Sequence, residues 1–363
     1  MLKVFKRVAL FVIIWVIAYN FYSLIVTPVQ MEYSSFLPSG MEVSFSLNAL
    51  IGTFAGIFMG IVFSLFDLLT SRFYHKKSSF GLEVLIRIMV YCFSILIVFV
   101  MGFVSYLLIS QKGPETSFSV LVIRYFSLFS FSILMCILLG FIIQISRHIG
   151  ENNLLSLFIG KYYKPREEER IFMFLDMRSS TTIAEKLGHN LFSELIQDCF
   201  FDLNSIINKY KAEIYKYVGD EVILVWDIKN GKHRNNCVGI FMEFMKIIDE
   251  KKEYYRKKYG VLPQFKAGLN SGPVTVIEVG SVKREIAFYG DVLNTAARIQ
   301  SVCNEYGNDI LISETVADML KSGGDGVKLE FIGAITLRGK DKEIKIYSAA
   351  PGHDPDSAGS AGI

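Results

Sequence analysis

Arg170–Asn190 reads RIFMFLDMRSSTTIAEKLGHN. An apolar run of strand length, Arg170–Leu175, stops at Asp176. The residues after it open like a helix, with Ser179, Ser180 and Thr181 as candidate caps. A carboxylate at the end of a buried strand, beside a helix start rich in free backbone N–H groups, suits a metal–phosphate complex. The carboxylate holds the cation and the N–H groups face phosphate oxygens. Taken alone the signal is weak, because an Asp after a strand is more often a cap.

Downstream, Ala212–Trp226 (AEIYKYVGDEVILVW) sets two β-prone runs around Gly219 and Asp220, a hairpin turn signal. Asp220 at the tip would bring a second carboxylate beside Asp176, and a shared divalent cation would relieve their repulsion. By itself an ordinary Asx-type turn is the better account. Gly290–Ser301 (GDVLNTAARIQS) reads as a helix from Leu293, Ala296, Ala297 and Ile299, with Asp291 near its start. Asn294 and Arg298 are four apart and share one face. An amide beside a guanidinium can hold a sugar oxygen and a phosphoryl group. In isolation, a solvated helix face explains them better.

Upstream the composition changes. The chain is 52% hydrophobic and 20% charged, against roughly 25% charged in an ordinary soluble domain. Residues 1–150 hold only ten of the 38 Lys/Arg and five of the 35 Asp/Glu. That pattern excludes a disordered chain. A net charge of +3 without a basic stripe excludes a nucleic-acid partner. Four apolar segments, Val8–Val26, Phe45–Leu69, Val84–Ile109 and Phe118–Ile145, each approach or exceed the roughly 20 residues that span a hydrocarbon core. Residues 1–146 are therefore expected to form an all-α, four-helix membrane domain. Lys3, Lys6, Arg7, Arg72, Lys76, Lys77 and Arg147 flank the segments on one side, whereas the other side carries only Lys112. By the positive-inside bias both termini and the second half are expected in the cytoplasm, with the chain a multi-pass protein of the cell (inner) membrane. Asp67, Arg87 and Arg124 fall near span ends, where snorkelling to the interface is the plain expectation. The lack of a charge near the midplane argues against a transporter.

Residues 147–169 connect the halves. Leu154, Leu155, Leu157 and Phe158 offer an apolar stripe for a helical coupling linker, ended by Gly160 and Pro165, and a plain surface linker fits equally well. The Gly/Ser/Ala-rich residues 350–363 read as a disordered tail with the composition of an expression scar. Cys92, Cys136, Cys199, Cys237 and Cys303 are scattered and never form CxxC. This argues against disulfides or zinc and fits a reducing compartment.

In order and separation, five stretches resemble the class III nucleotide cyclase catalytic domain over about Glu167–Ser348. They are FLDMRSST around Asp176, KYVGDE around Asp220, KAGLNSGPV at Lys266–Val274, FYGDVLNTAARI at Phe288–Ile299 and LRGK at Leu337–Lys340. With the helices upstream, the whole looks like a membrane-anchored bacterial-type adenylyl cyclase. The resemblance implies a ferredoxin-like α+β fold (βαββαβ) over residues 170–349. It also implies a head-to-tail homodimer with both catalytic sites at the subunit interface. Asp176 and Asp220 match the metal-binding aspartates, for two Mg²⁺ or Mn²⁺ ions per site. Asn294 matches the residue that positions the ribose, and Arg298 the one that stabilises the pentavalent phosphate. Lys216 matches the purine-reading lysine of adenylyl cyclases; a lysine has only donors and so suits adenine N1. Arg338 stands where a lysine usually contacts the triphosphate, with Lys340 a second candidate.

One position departs from the pattern. Ala287 occupies the second purine-reading position, usually Asp or Thr in adenylyl cyclases, and offers the base no side-chain hydrogen bond. Glu285, two residues earlier on the same strand parity, is a substitute. The implied reaction converts ATP to 3′,5′-cyclic AMP and pyrophosphate through attack of the ribose 3′-oxygen on the α-phosphorus, without a histidine base. The lipid bilayer and an unidentified membrane-domain ligand are the further expected partners. Guanylyl cyclase and a catalytically silent membrane receptor are the alternatives; no GGDEF string supports a dinucleotide cyclase.

Overall fold

In the computed structural model the described residues are 2–32, 45–73, 85–86, 89–97, 100, 118–149, 159–321, 327–336 and 343–351. They belong to two units, Met1–Ile149 and Gly150–Ile363. The first contains helices α1 (Leu2–Glu32), α2 (Phe45–Phe73) and α3 (Phe118–Ile149). Within them Val8–Val29, Asn48–Leu68 and Phe126–Ile143 are long and apolar enough to cross a membrane. Of the expected third span, residues 85–86, 89–97 and 100 are helical and the remainder lies outside the described residues.

Lipid tails are as apolar as the helices, so helices in a bilayer associate through close packing and hydrogen bonds. Gly52, Gly56 and Gly60 form a ridge of small residues on α2 against α1. A Cβ at Gly56 would lie 2.6 Å from Val16 Cα, and one at Gly60 2.5 Å from Val12 Cα. Asn20 Nδ2 donates to Thr53 Oγ1 (3.1 Å), Asn48 Nδ2 to Thr27 Oγ1 (2.9 Å), and Tyr19 OH pairs with Ser132 Oγ (2.8 Å). Trp15, Phe63 and Tyr91 fill the interior. Asp67 corrects the snorkelling expectation: it lies one turn beyond Phe63 on the inward stripe and is 0% exposed.

The second unit is built on one mixed sheet. Its elements are β1 (Arg166–Met177), α4 (Ser180–Ile207), β2 (Glu213–Val218), β3 (Glu221–Asp227), α5 (Ile228–Lys232), α6 (Asn236–Glu250), α7 (Lys252–Tyr259) and β4 (Phe265–Val279). There follow β5 (Glu285–Tyr289), α8 (Asp291–Ser301), β6 (Ile310–Ser313), α9 (Glu314–Lys321), β7 (Val327–Thr336) and β8 (Glu343–Pro351). The strand order is β2-β3-β1-β4-β6-β8-β7, with β5 paired to the far end of β4. The β2-β3-β1-β4 part is antiparallel throughout. With α4 after β1 and α6–α7 before β4, it is the expected βαββαβ core. β6 joins it in parallel and β7–β8 extend it.

β1 is apolar without alternation because both of its faces are covered. Ile171, Met173 and Leu175 pack under the α4–α6 helices, while Phe172 and Phe174 pack with Phe288 of β5 and Ala296 of α8. The strand begins four residues before the apolar run, since Arg166–Glu169 pair with Pro273–Val276 of β4. Ser179 takes the expected N-cap position of α4 but does not cap it through its side chain. Its dihedrals are left-handed (φ 55°, ψ 31°), and α4 breaks at Gly188 (φ 73°).

Candidate active site

Hydrogen-bond register alone places the acidic residues. Asp176, one residue from the end of β1, is the cross-strand partner of Glu221 on β3 and of Lys266 on β4. Asp220 occupies the β2–β3 turn immediately before Glu221, beside Gly219, whose φ is 62°. Asp220 lies close enough to Asp176 for the two carboxyls to interact. Burial, followed by the charge of Asp220, holds the Asp176 carboxyl above its usual range, against the pull of Lys266 and Gln300. Glu221 is pushed up to about 7 by burial and by both aspartates. Lys266 Nζ lies 3.4 Å from Asp176 Oδ2, and Gln300 Nε2 donates to the same oxygen at 2.8 Å.

Two neighbouring carboxylates that repel each other, with oxygen-only donors, fit a hard divalent cation. Asp176 and Asp220 are the residues that could hold it. Among the described residues no three His, Cys, Asp or Glu side chains converge on one ion position. Phosphate oxygens would then supply further ligands, as is usual for Mg²⁺ at nucleotide sites.

A second polar group involves β2 and β5. Lys216 Nζ pairs with Glu285 Oε2 at 3.3 Å, and Lys283 Nζ with Glu285 Oε1 at 2.5 Å. The lysines, Lys283 foremost, hold the Glu285 carboxyl below its ordinary range. Ala287, two residues along β5, is partly buried opposite Ile277. Tyr215, Phe172 and Phe288 stack edge to face beneath this pair.

Asn294 and Arg298 lie exposed on α8, whose Val292, Thr295, Ala296 and Ile299 are buried. Neither side chain is tied to another described residue. The chain therefore brings Asp176 and Asp220 together, and Lys216 together with Glu285, but leaves Asn294 and Arg298 facing outward. Arg338 and Lys340 lie outside the described residues.

Residues 162–349 match the model of the adenylate and guanylate cyclase catalytic domain. The chain belongs to this family. It is 28% identical over 213 residues to adenylate cyclase 2 of Rhizobium meliloti (strain 1021), covering 58% of this chain and 58% of that protein. It is 24% identical over 242 residues to adenylate cyclase 1 of the same organism, covering 56% and 35%. The chain thus spans little more than half, or about a third, of these curated relatives. Among solved structures, a bacterial light-regulated adenylyl cyclase superposes with a TM-score of 0.51 at 20% identity, covering 61% of this chain and 65% of that one; this likeness concerns the fold.

Three residues around the cyclase carboxylates escape a sequence reading. Glu221 and Lys266 lie within the quoted motifs, but only strand register reveals that both flank Asp176. Gln300 follows Arg298 by two residues on α8, and no local pattern announces that it turns inward.

Proposed function

We propose that this chain is a membrane-anchored adenylyl cyclase that converts ATP to 3′,5′-cyclic AMP and pyrophosphate as a homodimer. The observation that carries the reading is the approach of Asp176 and Asp220 at one end of the β1–β3 ladder. These two carboxylates would hold two Mg²⁺ or Mn²⁺ ions. When bound, such ions lower the cost of forming the attacking alkoxide and neutralise the triphosphate. Asn294 orients the ribose, and Arg298 stabilises charge growing on the equatorial phosphoryl oxygens. Both are exposed and tied to no other described residue, as expected of residues that complete the site of a second copy. Arg338 and Lys340 contact the triphosphate.

Adenine recognition falls to Lys216 and Glu285. Lys216 donates to N1, and the Glu285 carboxylate accepts from the 6-amino group in place of the contact Ala287 cannot make. Their ion pair supports this division of work, because it holds a donor and an acceptor side by side. The helices of residues 1–146 anchor the chain in the cell (inner) membrane as four spans, with the cyclase domain and both termini cytoplasmic, and offer a site for a regulatory ligand. Ala287 keeps GTP as the competing substrate.

Purified full-length protein is incubated with ATP or GTP under Mg²⁺ or Mn²⁺, and products are identified by mass spectrometry. Cyclic AMP is expected. A preference for cyclic GTP makes the chain a guanylyl cyclase, and no cyclic product under any condition makes it a silent receptor. Shared sites are tested by co-expressing Asp176→Ala with Arg298→Ala chains, neither active alone. Random pairing restores about a quarter of wild-type activity, since half of the dimers hold one intact site.

A further inference from the structure

α8 presents two sets of polar side chains. Asn294 and Arg298 point outward, whereas Gln300 is 6% exposed and points at the chain's own carboxylate site. The helix can reach that site because of Gly268 on β4. A Cβ there would lie 2.2 Å from Gln300 N and 2.5 Å from Ala296 O, so only a residue without a side chain lets α8 settle this close to the sheet. Gln300 Nε2 then donates to Asp176 Oδ2 at 2.8 Å, and Lys266 Nζ approaches the same oxygen at 3.4 Å. Both contacts fall on Oδ2, which restrains that oxygen and leaves Oδ1 without a donor from either residue.

We propose that Gln300 is a positioning residue for Asp176. Its amide sets the carboxylate for cation binding in the chain's own site, while Asn294 and Arg298, six and two residues earlier on the same helix and on its outer face, serve the site of the second copy. α8 is then a rigid element common to both sites of a dimer. The inference rests on the shared-site reading above for its second half only. The Gln300–Asp176 relation stands within one chain.

The test uses the full-length protein in detergent. Gln300→Met keeps the side-chain volume and removes the donor. Mn²⁺ binding is followed by the loss of the free Mn²⁺ electron paramagnetic resonance signal, in the presence of 3′-deoxy-ATP, which lacks the attacking hydroxyl. Gln300→Met is expected to weaken Mn²⁺ binding roughly tenfold or more, the range for removing a group that orients a metal ligand. Saturating Mn²⁺ is expected to recover most of kcat. Unchanged Mn²⁺ affinity would overturn the proposal.

Mixed dimers separate a role through Asp176 from damage to α8. Gln300→Met co-expressed with Arg298→Ala is expected to regain activity, because one site then keeps an intact Gln300–Asp176 pair and an intact Arg298. At Mn²⁺ too dilute to rescue Gln300→Met, its pairing with Asp176→Ala is expected to stay low. The reverse pattern, with Asp176→Ala and Arg298→Ala still complementing, would mean that Gln300 acts through the Arg298 face. Should that control pair itself fail to complement, the shared-site reading falls, and the Mn²⁺ measurement still decides the part played by Gln300.

Discussion

Buried polar groups are handled in opposite ways in the two units. Among the α1–α3 helices, neutral side chains meet in pairs: Asn20 with Thr53, Asn48 with Thr27 and Tyr19 with Ser132. In each of these pairs a donor meets an acceptor, which is what a hydrocarbon surrounding demands, although the same interior also buries the Asp67 carboxyl. At one end of the β1–β3 ladder the arrangement is unfavourable by the same standard. Asp176, Asp220 and Glu221 crowd together, partly desolvated, with Lys266 as the nearby cation. The membrane unit spends its polar residues on cohesion. The cyclase unit accumulates repulsion that a bound dication would remove, and such repulsion persists only where the surrounding sheet over-determines the geometry.

The largest way to break this contrast is to remove a carboxylate. Asp176→Ala or Asp220→Ala is expected to lower cyclase turnover on the order of a thousandfold or more, since the ions supply several kcal/mol of charge stabilisation. For Asp220→Ala the metal-free thermal stability should hold or rise, because a repulsive charge is gone, whereas Asp176→Ala also strands Gln300 and Lys266. A fall in the metal-free melting temperature of Asp220→Ala would show that carboxylate to be structural.

On the other side of the comparison, Gly60→Leu drives a side chain into the α1 backbone at Val12. It should cost about 1–3 kcal/mol through overpacking, read as lower thermal stability in detergent. Unaltered stability would mean that the glycine ridge does not hold α1 to α2.

A smaller effect is expected at the Lys216–Glu285 pair. Glu285→Ala should lower the ATP-over-GTP ratio of kcat/KM by about two- to tenfold, the worth of one polar contact. An unchanged ratio removes Glu285 from base recognition.

The smallest effect sharpens the contrast through pH. Glu221, pushed up to about 7, keeps a proton in the folded state that the unfolded chain has already released above the ordinary glutamate range. Its stabilising share is complete at low pH and is lost as pH rises through about 7. The melting temperature of metal-free protein should therefore decline from about pH 5 to 7.5. Glu221→Gln should flatten that decline, and neutral pairs such as Asn20–Thr53 should contribute none of it.

Much of the cyclase fold was legible locally. The strand ending at Asp176, the Gly219–Asp220 hairpin and the helix carrying Asn294 and Arg298 all follow from periodicity and turn chemistry, which act over a few residues. The polar start of β1 was hidden, because Arg166–Glu169 show no apolar signal and become strand by pairing with β4. Ser179 was legible in position only: it is the helix N-cap, but its left-handed dihedrals come with no side-chain cap bond. Asp67 sits near a span end as read, and burial on the inward stripe overrides the expected snorkelling.

By itself the amino-acid sequence determined the division into apolar helices and a mixed α/β domain, the order of that domain's elements, and which acidic and basic residues were available for chemistry. Those properties come from composition and short-range backbone preference. Only the tertiary structure decided that Glu221 and Lys266 flank Asp176, that Glu285 meets Lys216, and that Gln300 reaches across a glycine to grip a carboxylate 124 positions away. Such contacts depend on strand register and on how closely a helix settles on a sheet, and both are set by packing between segments remote in the chain.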